Sequence, residues 1–465
     1  MQKLSVAIVH PNLGIGGAER LVVDTALSLQ QRGHRVVIYT MHHDPAHCFE
    51  ETRDGTLDVR VVRSWLIPES VNGRLHILCT VLRSLGMARR VATDREQYDV
   101  VFVDQLSAPI PLLKYAHAHI LFYCHFPDYL QAPHTTLWQR LYRAPFDLLE
   151  ELTTGEADQI VVNSKFTQST FRNAFPRLSV VPRVLPPAIN LAAYDTTPPA
   201  DDPAVAMLRM PRQCVLSINR FERKKNIALA IDALALLQNR SDLCLVVAGG
   251  WDVRVPENIE YLHELDAHAR SLGLSTRTVA PRSASSQALK LLPSNYVRVP
   301  AFADDVKTTD SVDVLFVPSF SESQRAHLLA TARCVVYTPI NEHLGIVPLE
   351  AMGMRVPVVA ADSGGPCETV VHGKTGYLCQ PTAEDFSSAI SRIISMSEDQ
   401  RSEMGRAGRE RVETEFALDA YATKLEGIIS DMIQYPTTVS AIFGVLMTLF
   451  IICTSAVIFL CARYL

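Results

Sequence analysis

The chain lacks any Cys-x-x-Cys pair, and its ten cysteines are scattered over 465 residues without paired spacing. A disulfide framework is therefore not expected, and we predict that the cysteines are reduced and mostly buried, which suits the cytosol. A leader segment is not expected either, because an apolar run begins at residue 4 and leaves no room for a signal peptide. The bulk of the chain is accordingly expected to be cytosolic.

An excess of positive charge is also absent. The formal net charge is −5 at pH 7, which argues against a general nucleic-acid binder. No internal repeat stands out. The length is sufficient for two domains of ordinary size, and apolar strands alternate with helical segments throughout, which is the pattern of parallel α/β sheets.

The first glycine-rich loop lacks the acidic partner of a dinucleotide site. Residues 6–9 (VAIV) predict a strand, and residues 14–20 (GIGGAER) predict a loop that opens a helix. Residues 36–40 predict the next strand, which ends Tyr-Thr-Met-His at residues 39–42. A glycine loop alone is a weak indication, and this strand has no carboxylate to bind the ribose of NAD.

Two carboxylates, Glu342 and Glu350, stand eight positions apart around a short apolar run with one glycine. Residues 333–339 predict a buried parallel strand, and residues 347–354 predict a helix. Glu342 would then lie at the carboxyl end of the strand, with free N–H groups at the helix start available to an anion. This arrangement suits a phosphate-bearing ligand with hydroxyl groups on either side; a pair of ordinary surface glutamates is the alternative.

A basic cluster, RFERKKN at residues 220–226, follows the apolar run 214–218 and precedes a helical stretch, 227–237. Arginine can grip phosphate through two parallel hydrogen bonds, and lysine adds a point charge. The cluster is predicted at the sheet edge that carries Glu342 and Glu350, where ligands bind in open α/β sheets. A solvated basic turn is the other interpretation.

An arginine and a lysine in a strand–helix loop, followed by Glu-x7-Glu, resemble the nucleotide-sugar domain of retaining GT-B glycosyltransferases of family 4. The glycine loop agrees, as do YCHFPD at residues 123–128 and SGGPCETV at residues 363–370. The resemblance implies an α/β fold of the GT-B type, with two Rossmann-like domains facing a cleft. The N-terminal acceptor domain would span 1–190, and the C-terminal nucleotide-sugar domain would span 205–433.

The resemblance also implies catalytic roles for individual side chains. Breaking the bond of a nucleotide sugar leaves a diphosphate and a cation-like ring, so that catalysis needs a positive clamp for the leaving group. Arg220 and Lys225 would form this clamp. Glu342 would hold the hydroxyls of the sugar, and Glu350 those of the ribose.

Further groups would complete the donor site. The N–H groups of Gly345 and Ile346 would face the phosphates, and Gly16 and Gly17 would let the backbone approach the diphosphate, since a side chain there would collide. His125 would face the sugar across the cleft, unless it is a satisfied core histidine. No metal or other cofactor is predicted, because side chains supply the charge.

The full motif set closely resembles, within this family, the mannosyltransferases of dolichol-linked oligosaccharide assembly. That resemblance implies a retaining α-mannosyltransferase that uses GDP-mannose and adds an α-1,3 and then an α-1,6 mannose to a dolichol-diphosphate-linked Man1GlcNAc2 core. It further implies membrane lipid as a partner and association with other glycosyltransferases of the same pathway. The protein would reside in the endoplasmic reticulum membrane, with its catalytic domains facing the cytosol.

Three segments depart from the pattern of a compact enzyme. Residues 439–462 contain no charged side chain and predict a transmembrane helix, with a buried core helix as the alternative. Residues 75–92 predict a helix in the core of the first domain or in the membrane interface. Residues 276–313, rich in Ser, Ala, Pro and Asp, predict an insert without regular structure. Asp304 and Asp305 within it do not indicate a metal site.

Two other functions stay open. The first is a family member with a different nucleotide sugar and a lipid or sugar acceptor, which the use of GDP or UDP would distinguish. The second is a sugar-nucleotide 2-epimerase, an enzyme class that shares the fold. Such epimerases are expected to be soluble, so the predicted C-terminal span counts against this function.

Overall fold

The computed structural model describes residues 2–65, 67–71, 75–116, 118–131, 136–195, 201–282, 284–300 and 312–435. The chain divides into two compact units. The first unit comprises the chain up to Ala188 together with the segment that begins at Leu418. The second unit is Ile189–Ala417.

The first unit contains a parallel sheet of seven strands among its described residues, in the order β3-β2-β1-β4-β5-β6-β7. The strands are β1 (Ser5–Asn12), β2 (Arg35–His42), β3 (Asp58–Val61), β4 (Val100–Asp104), β5 (His119–Cys124), β6 (Gln159–Val162) and β7 (Arg183–Val184). The helices between them are α1 (Gly17–Gln31), α2 (His76–Ala92), α3 (Ile110–Leu113), α4 (Asp128–Gln131), α5 (Leu137–Thr154) and α6 (Lys165–Ala174). Short 3-10 helices occur at Glu50–Thr52 and Lys114–Ala116.

The central strands of this sheet are buried on both faces. In β1, Val6 and Ile8 belong to one hydrophobic cluster, whereas Ala7 and Val9 belong to another on the opposite face. This alternation follows from the two-residue period of a strand. A strand covered on both sides needs apolar residues at every position, which explains the uninterrupted run that predicts it.

The second unit contains a parallel sheet of eight strands within its described part, in the order β11-β10-β12-β9-β8-β13-β14-β15. The strands are β8 (Gln213–Ile218), β9 (Leu243–Gly249), β10 (Thr276–Val279), β11 (Tyr296–Val297), β12 (Val314–Pro318), β13 (Ala332–Tyr337), β14 (Val358–Ala361) and β15 (Gly376–Cys379). The helices are α7 (Pro203–Ala206), α8 (Ala228–Ala235), α9 (Pro256–Ser271), α10 (Ser286–Leu289), α11 (Glu322–Thr331), α12 (Ile346–Gly353), α13 (Pro366–Thr369), α14 (Ala383–Ile394) and α15 (Glu398–Glu415), with 3-10 helices at Leu191–Ala193 and Arg223–Lys225.

The final described helix, α16 (Leu418–Ile433), belongs to the first unit. Its buried residues Tyr421, Leu425 and Ile429 pack in the cluster that also contains residues of β1 and α1. The Oη of Tyr421 lies 2.7 Å from the Oγ1 of Thr25 on α1. The unit boundary at Ala417 therefore differs from the predicted domain end at residue 433, because the apolar face of α16 is buried on the first sheet.

The strands predicted from apolar runs are confirmed at β1, β2, β8 and β13. The predicted insert is the exception. Residues 276–279 form β10, which pairs with β12 on one side and β11 on the other. Residue 283 and residues 301–311, with Asp304 and Asp305, lie outside the described residues. The prediction of an unstructured segment is thus wrong for β10, α10 and β11. Backbone pairing of β10 with β12, and of β11 with β10, orders a sequence that has little apolar character of its own.

Two apolar segments bear on the membrane. Helix α2 buries Leu82, Met87 and Val91 on the first unit, which favours the interpretation as a core helix. Across the described part of the chain, no helix combines the length and apolar character needed to cross a bilayer. The predicted span 439–462 lies outside the described residues.

Candidate active site

The basic cluster and the Glu342 loop meet at one edge of the second sheet. Strands β8 and β13 are parallel neighbours, so their carboxyl ends lie side by side. The 3-10 helix Arg223–Lys225 follows β8, and residues 338–345 follow β13. The Oγ1 of Thr338 donates a hydrogen bond to the backbone oxygen of Lys225 over 2.8 Å, which ties the two loops together.

Lys225 and Glu342 form an ion pair at this edge. The Lys225 Nζ lies 2.5 Å from the Glu342 Oε2, and the two side chains are only 15% and 20% exposed. Burial by itself would raise the pKa of Glu342, but the charge and hydrogen bond of Lys225, with His343 and Tyr337, hold that pKa below its usual value. Glu342 is therefore an anion at neutral pH, able to accept hydrogen bonds from hydroxyl groups.

The start of α12 faces the same loop. Gly345 caps the helix with φ of +81°, a conformation that favours glycine. A Cβ there would come within 3.0 Å of the Tyr337 ring. The N–H groups from Ile346 onward in the first turn have no acceptor within the helix, and the helix dipole favours an anion at this end.

Glu350 is deeply buried on α12, with a side chain that is 4% exposed. Its Oε1 accepts hydrogen bonds from the hydroxyl of Tyr194, over 2.9 Å, and from the guanidinium of Arg325. Its Oε2 is buried and has no hydrogen-bond partner among the residues that the structure describes. A buried carboxylate oxygen without a donor costs free energy, so that this atom is suited to accept a hydroxyl of a ligand.

A second loop braces Glu342 and was not assigned a role from the sequence. The N–H of Gly365 donates to the backbone oxygen of Glu342 over 2.7 Å, and the N–H of Asn341 donates to the Oγ of Ser363 over 3.0 Å. A Cβ on Gly365 would come within 2.2 Å of the Leu344 Cα. The motif SGGPCETV thus fixes the backbone that presents Glu342, and its paired glycines are the sequence feature that could have indicated this.

Arg220 lies in the same loop as Lys225 but is set apart from the Lys225–Glu342 pair. Its side chain is 63% exposed, and its Nη1 lies 3.2 Å from the Oε1 of Glu222. The structure therefore brings together Lys225, Glu342 and the start of α12, while Arg220 points to solvent beside them.

In the first unit, His125 belongs to a buried polar network. It directly follows β5, and its Nε2 lies 2.8 Å from the Oδ1 of Asp104 at the end of β4, although the contact is poorly aligned for a hydrogen bond. The Oδ2 of Asp104 lies 2.8 Å from the Nδ1 of His10 on β1. His125 is 23% exposed, whereas the other two side chains are fully buried.

The charges of this network stabilise one another. Burial, the largest effect, lowers the pKa of His10, but Asp104 and Glu19 together raise it to about 9. Burial likewise raises the pKa of Asp104, but His125 and His10 bring it below its usual value. His125 was selected from the sequence, whereas Asp104 and His10 were missed. Asp104 could have been noticed as the polar residue that ends the otherwise apolar strand β4.

The glycine loop opens α1 as predicted. Gly16 precedes the helix with an extended backbone, φ −172°, that any residue can adopt. A Cβ on Gly17 would meet nothing within 4 Å. A Cβ on Gly16 would come within 2.2 Å of the Glu19 carboxylate, so that glycine at this position has a local steric reason. At Gly17 there is no such contact, which leaves close approach of a ligand as a reason for glycine there. Within the described residues, no group of three or more His, Cys, Asp or Glu side chains is arranged to hold a metal ion.

Family comparisons agree with this architecture. The family described as Glycosyltransferase Family 4 matches residues 15–193, and Glycosyl transferases group 1 matches residues 202–295 and 304–411. Among solved structures, sucrose-phosphate synthase from Thermosynechococcus elongatus has a TM-score of 0.67 at 19% identity, covering 93% of this chain and all of that one. HepE from Anabaena, in complex with UDP and glucose, has a TM-score of 0.63 at 18% identity over 92% of this chain and all of its own. These structures establish the GT-B fold alone.

Closer relatives carry the name alpha-1,3/1,6-mannosyltransferase ALG2. The protein from Rhizomucor pusillus is 46% identical over 442 residues, covering 93% of this chain and 92% of its own length. That from Schizosaccharomyces pombe is 42% identical over 93% of this chain and 81% of its own length. That from Homo sapiens is 41% identical over 93% of this chain and 97% of its own length. The chain therefore belongs to the family of glycosyltransferases that these α-1,3/1,6-mannosyltransferases represent.

Proposed function

We propose that this protein transfers mannose from GDP-mannose to a dolichol-diphosphate-linked Man1GlcNAc2 oligosaccharide, first through an α-1,3 and then through an α-1,6 linkage. The resulting Man3GlcNAc2 product is a precursor of N-glycans. The observation that carries the proposal is the 46% identity to an α-1,3/1,6-mannosyltransferase over nearly the full length of both chains. The buried Lys225–Glu342 pair beside a helix N-terminus supports it chemically.

Positive groups of the second unit stabilise the diphosphate leaving group. As the sugar–phosphate bond breaks, negative charge builds up on the diphosphate. Lys225, the N–H groups of Gly345 and Ile346, and the exposed Arg220 supply donors for it. Gly16 and Gly17 leave space for the same diphosphate to approach the backbone. Lys225 pairs with Glu342, and we propose that its ammonium group also reaches the phosphate oxygens of the donor.

The carboxylates orient the two ends of the donor. Glu342, an anion at neutral pH, accepts hydrogen bonds from mannose hydroxyls. We propose that His125 of the first unit also serves as a hydrogen-bonding group for the sugar. Glu350 accepts a ribose hydroxyl at its unpartnered Oε2. The acceptor hydroxyl attacks from the face that the leaving group vacates, and the departing phosphate takes its proton, so that the anomeric configuration is retained.

The location follows from the C-terminal segment. The uncharged residues 439–462 have the length to span a bilayer, and a lipid-linked acceptor is reached most easily by a membrane-bound enzyme. We propose that this segment anchors the protein in the endoplasmic reticulum membrane, with both catalytic units in the cytosol.

Transfer by membranes that contain the full chain tests the proposal. Radiolabelled GDP-mannose and a Man1GlcNAc2 lipid-diphosphate acceptor should give Man2 and Man3 products. Glu342→Ala should abolish them, whereas Glu403→Ala, an exposed glutamate on α15, should not. Transfer from a UDP-sugar in place of GDP-mannose would refute the donor and the assignment to dolichol-linked assembly.

The ribose contact has a test of its own. Glu350→Gln should raise the KM for GDP-mannose by about ten-fold or more, since hydrogen bonds to a charged acceptor contribute about 1.5–3 kcal/mol. An unchanged KM would remove Glu350 from the donor site.

A further inference from the structure

A second polar pocket lies in the first unit, away from the His125 network. It is an open cavity of about 360 Å³ at the carboxyl ends of β2 and β3. His42 and His43 line it from the end of β2, Arg63 from the segment after β3, and Arg83 from α2. The carboxyl edge of an open parallel sheet is where ligands bind. The N–H of Leu13, at the start of the glycine loop, donates to the backbone oxygen of His42 over 2.9 Å.

The charge of this pocket comes from two arginines. Burial, the largest effect, lowers the pKa of His43, so this side chain adds no charge near pH 7. Arg83 is only 15% exposed, and its buried Nε has no hydrogen-bond partner within the described part of the chain. Its Nη1 lies 3.4 Å from the Oε1 of Glu69, a side chain that is 74% exposed and contributes little as an ion pair. A buried guanidinium with an unused donor is suited to bind an oxyanion.

The position of the pocket relates it to the His125 network within the same sheet. Strands β2 and β5 are separated by three strand spacings in the order β2-β1-β4-β5, a distance of about 14 Å at about 4.8 Å per spacing. This distance is comparable to the length of a short oligosaccharide. An acceptor sugar chain whose growing end lies at His125 could therefore place its other end in the pocket.

One large apolar side chain lies exposed beside the pocket. Trp65 follows the lining residue Ser64 and is 89% exposed, a large apolar surface to leave in water. Tryptophan is enriched where proteins meet the headgroup region of a bilayer. An anion attached to a membrane lipid would thus meet both a cationic pocket and an interfacial side chain.

We infer that this pocket binds the diphosphate of the lipid-linked acceptor, with Arg63 and Arg83 as its ligands, an inference that rests on the proposed function. The sugar chain then runs along the carboxyl edge of the first sheet from the pocket to His125. Glu69 partly neutralises the pocket when no acceptor is bound and moves aside for the diphosphate. The pocket accordingly selects acceptors that carry a diphosphate, and it does not contact the nucleotide donor.

Direct binding to the detergent-solubilised full chain tests the pocket without relying on catalysis. Titration with farnesyl diphosphate should show a Kd that rises by at least about ten-fold in Arg63→Gln/Arg83→Gln, since the variant loses the charge-assisted hydrogen bonds of both guanidinium groups to the diphosphate. Glu69→Gln should bind more tightly than wild type, because a repelling charge is removed. Arg89→Gln, an exposed arginine on the same helix outside the pocket, should bind as wild type does.

Steady-state transfer then identifies the source of the diphosphate. The double variant should raise the KM for the lipid-diphosphate acceptor by about ten-fold while the KM for GDP-mannose stays within about two-fold. A rise in the KM for GDP-mannose instead would assign the pocket to the donor and overturn the inference. Binding of inorganic diphosphate as tight as that of farnesyl diphosphate would also overturn it, since the ligand would be a free anion.

The inference can still be tested if a variant fails to fold or if the protein transfers no mannose. If Arg83→Gln fails to fold, two variants of exposed residues still test the inference. Arg63→Gln should raise the Kd for farnesyl diphosphate, and Glu69→Gln should lower it. Equal Kd values for these two variants would refute diphosphate binding in the pocket. If the wild-type protein transfers no mannose, the proposed function fails, whereas the farnesyl diphosphate titration still decides whether the pocket binds a lipid diphosphate.

Discussion

Replacing Lys225 by methionine should destabilise the second unit because it leaves the largely buried carboxylate of Glu342 without its counter-ion. In the native chain the Lys225 Nζ lies 2.5 Å from the Glu342 Oε2. Methionine has a similar length and no charge, so the change removes the counter-ion and leaves the volume nearly filled. Glu342 then keeps the burial that raises its pKa and loses the partner that lowers it.

The expected size follows from the exposure of the pair. Removing one partner of a fully buried ion pair costs about 3–5 kcal/mol, whereas a fully exposed pair contributes about 0–1 kcal/mol. The side chains here are 15% and 20% exposed, which places Lys225→Met between these limits, at about 2–3 kcal/mol.

The pH dependence has a defined sign. In wild type, the lowered pKa of Glu342 stabilises the fold above the unfolded value of 4.5, and this contribution is lost as the pH falls through the folded pKa. In Lys225→Met the pKa rises instead, so that protonation on acidification relieves the penalty. The difference in unfolding free energy between the two proteins should therefore be largest at neutral pH and shrink as the solution becomes acidic.

Urea unfolding followed by tryptophan fluorescence can measure this difference. Trp251 is buried in the second unit, so a chain with Trp65→Phe and Trp138→Phe reports on that unit alone. The double variant Lys225→Met/Glu342→Gln should be more stable than Lys225→Met, because it removes the stranded charge as well as its partner. A single variant as stable as the double variant would refute the reasoning.

Three further predictions address other parts of the chain. Asp104→Asn should lower the stability of the first unit by about 3 kcal/mol near neutral pH, since it removes the main support for the raised pKa of His10. This stabilisation is fully present below pH 6.5 and is lost as the pH rises through about 9. The urea midpoints of wild type and variant should therefore converge at high pH. Gly365→Ala should reduce transfer strongly by displacing Leu344 and Glu342, whereas Gly427→Ala, where a Cβ meets nothing within 4 Å, should leave the rate unchanged and stabilise α16 by about 0.5–1 kcal/mol. A chain that ends after Tyr435 should no longer float with liposomes, and flotation equal to that of the full chain would contradict the proposed anchor.

The strands that position the site were predictable because local composition specifies them. Strands β8 and β13 are apolar at nearly every position, as a strand covered on both faces must be. Once both are placed in one parallel sheet, Lys225 and Glu342 necessarily follow at the same edge. The proximity of this pair could thus be inferred from two short apolar runs and the basic and acidic residues after them.

The remaining features depend on contacts between distant parts of the chain. Tyr194 and Arg325 hold Glu350, yet neither belongs to a motif or lies near it in sequence. Strand β10 reads Thr-Arg-Thr-Val and is ordered by pairing with β12, which its own composition does not indicate. His10 could not be recognised from its local sequence either. What distinguishes it is the contact with Asp104 on β4, which exists only in the assembled sheet.

The return of α16 to the first sheet has a consequence for biosynthesis. The ribosome releases β1–β7 before the second unit, but the hydrophobic core that they form is completed by Tyr421, Leu425 and Ile429 near the end of the described chain. The second unit, a continuous stretch, can thus reach its native state first. The apolar surface of the N-terminal portion stays uncovered until α16 is made, after the whole second unit, and chaperones would be required during this interval.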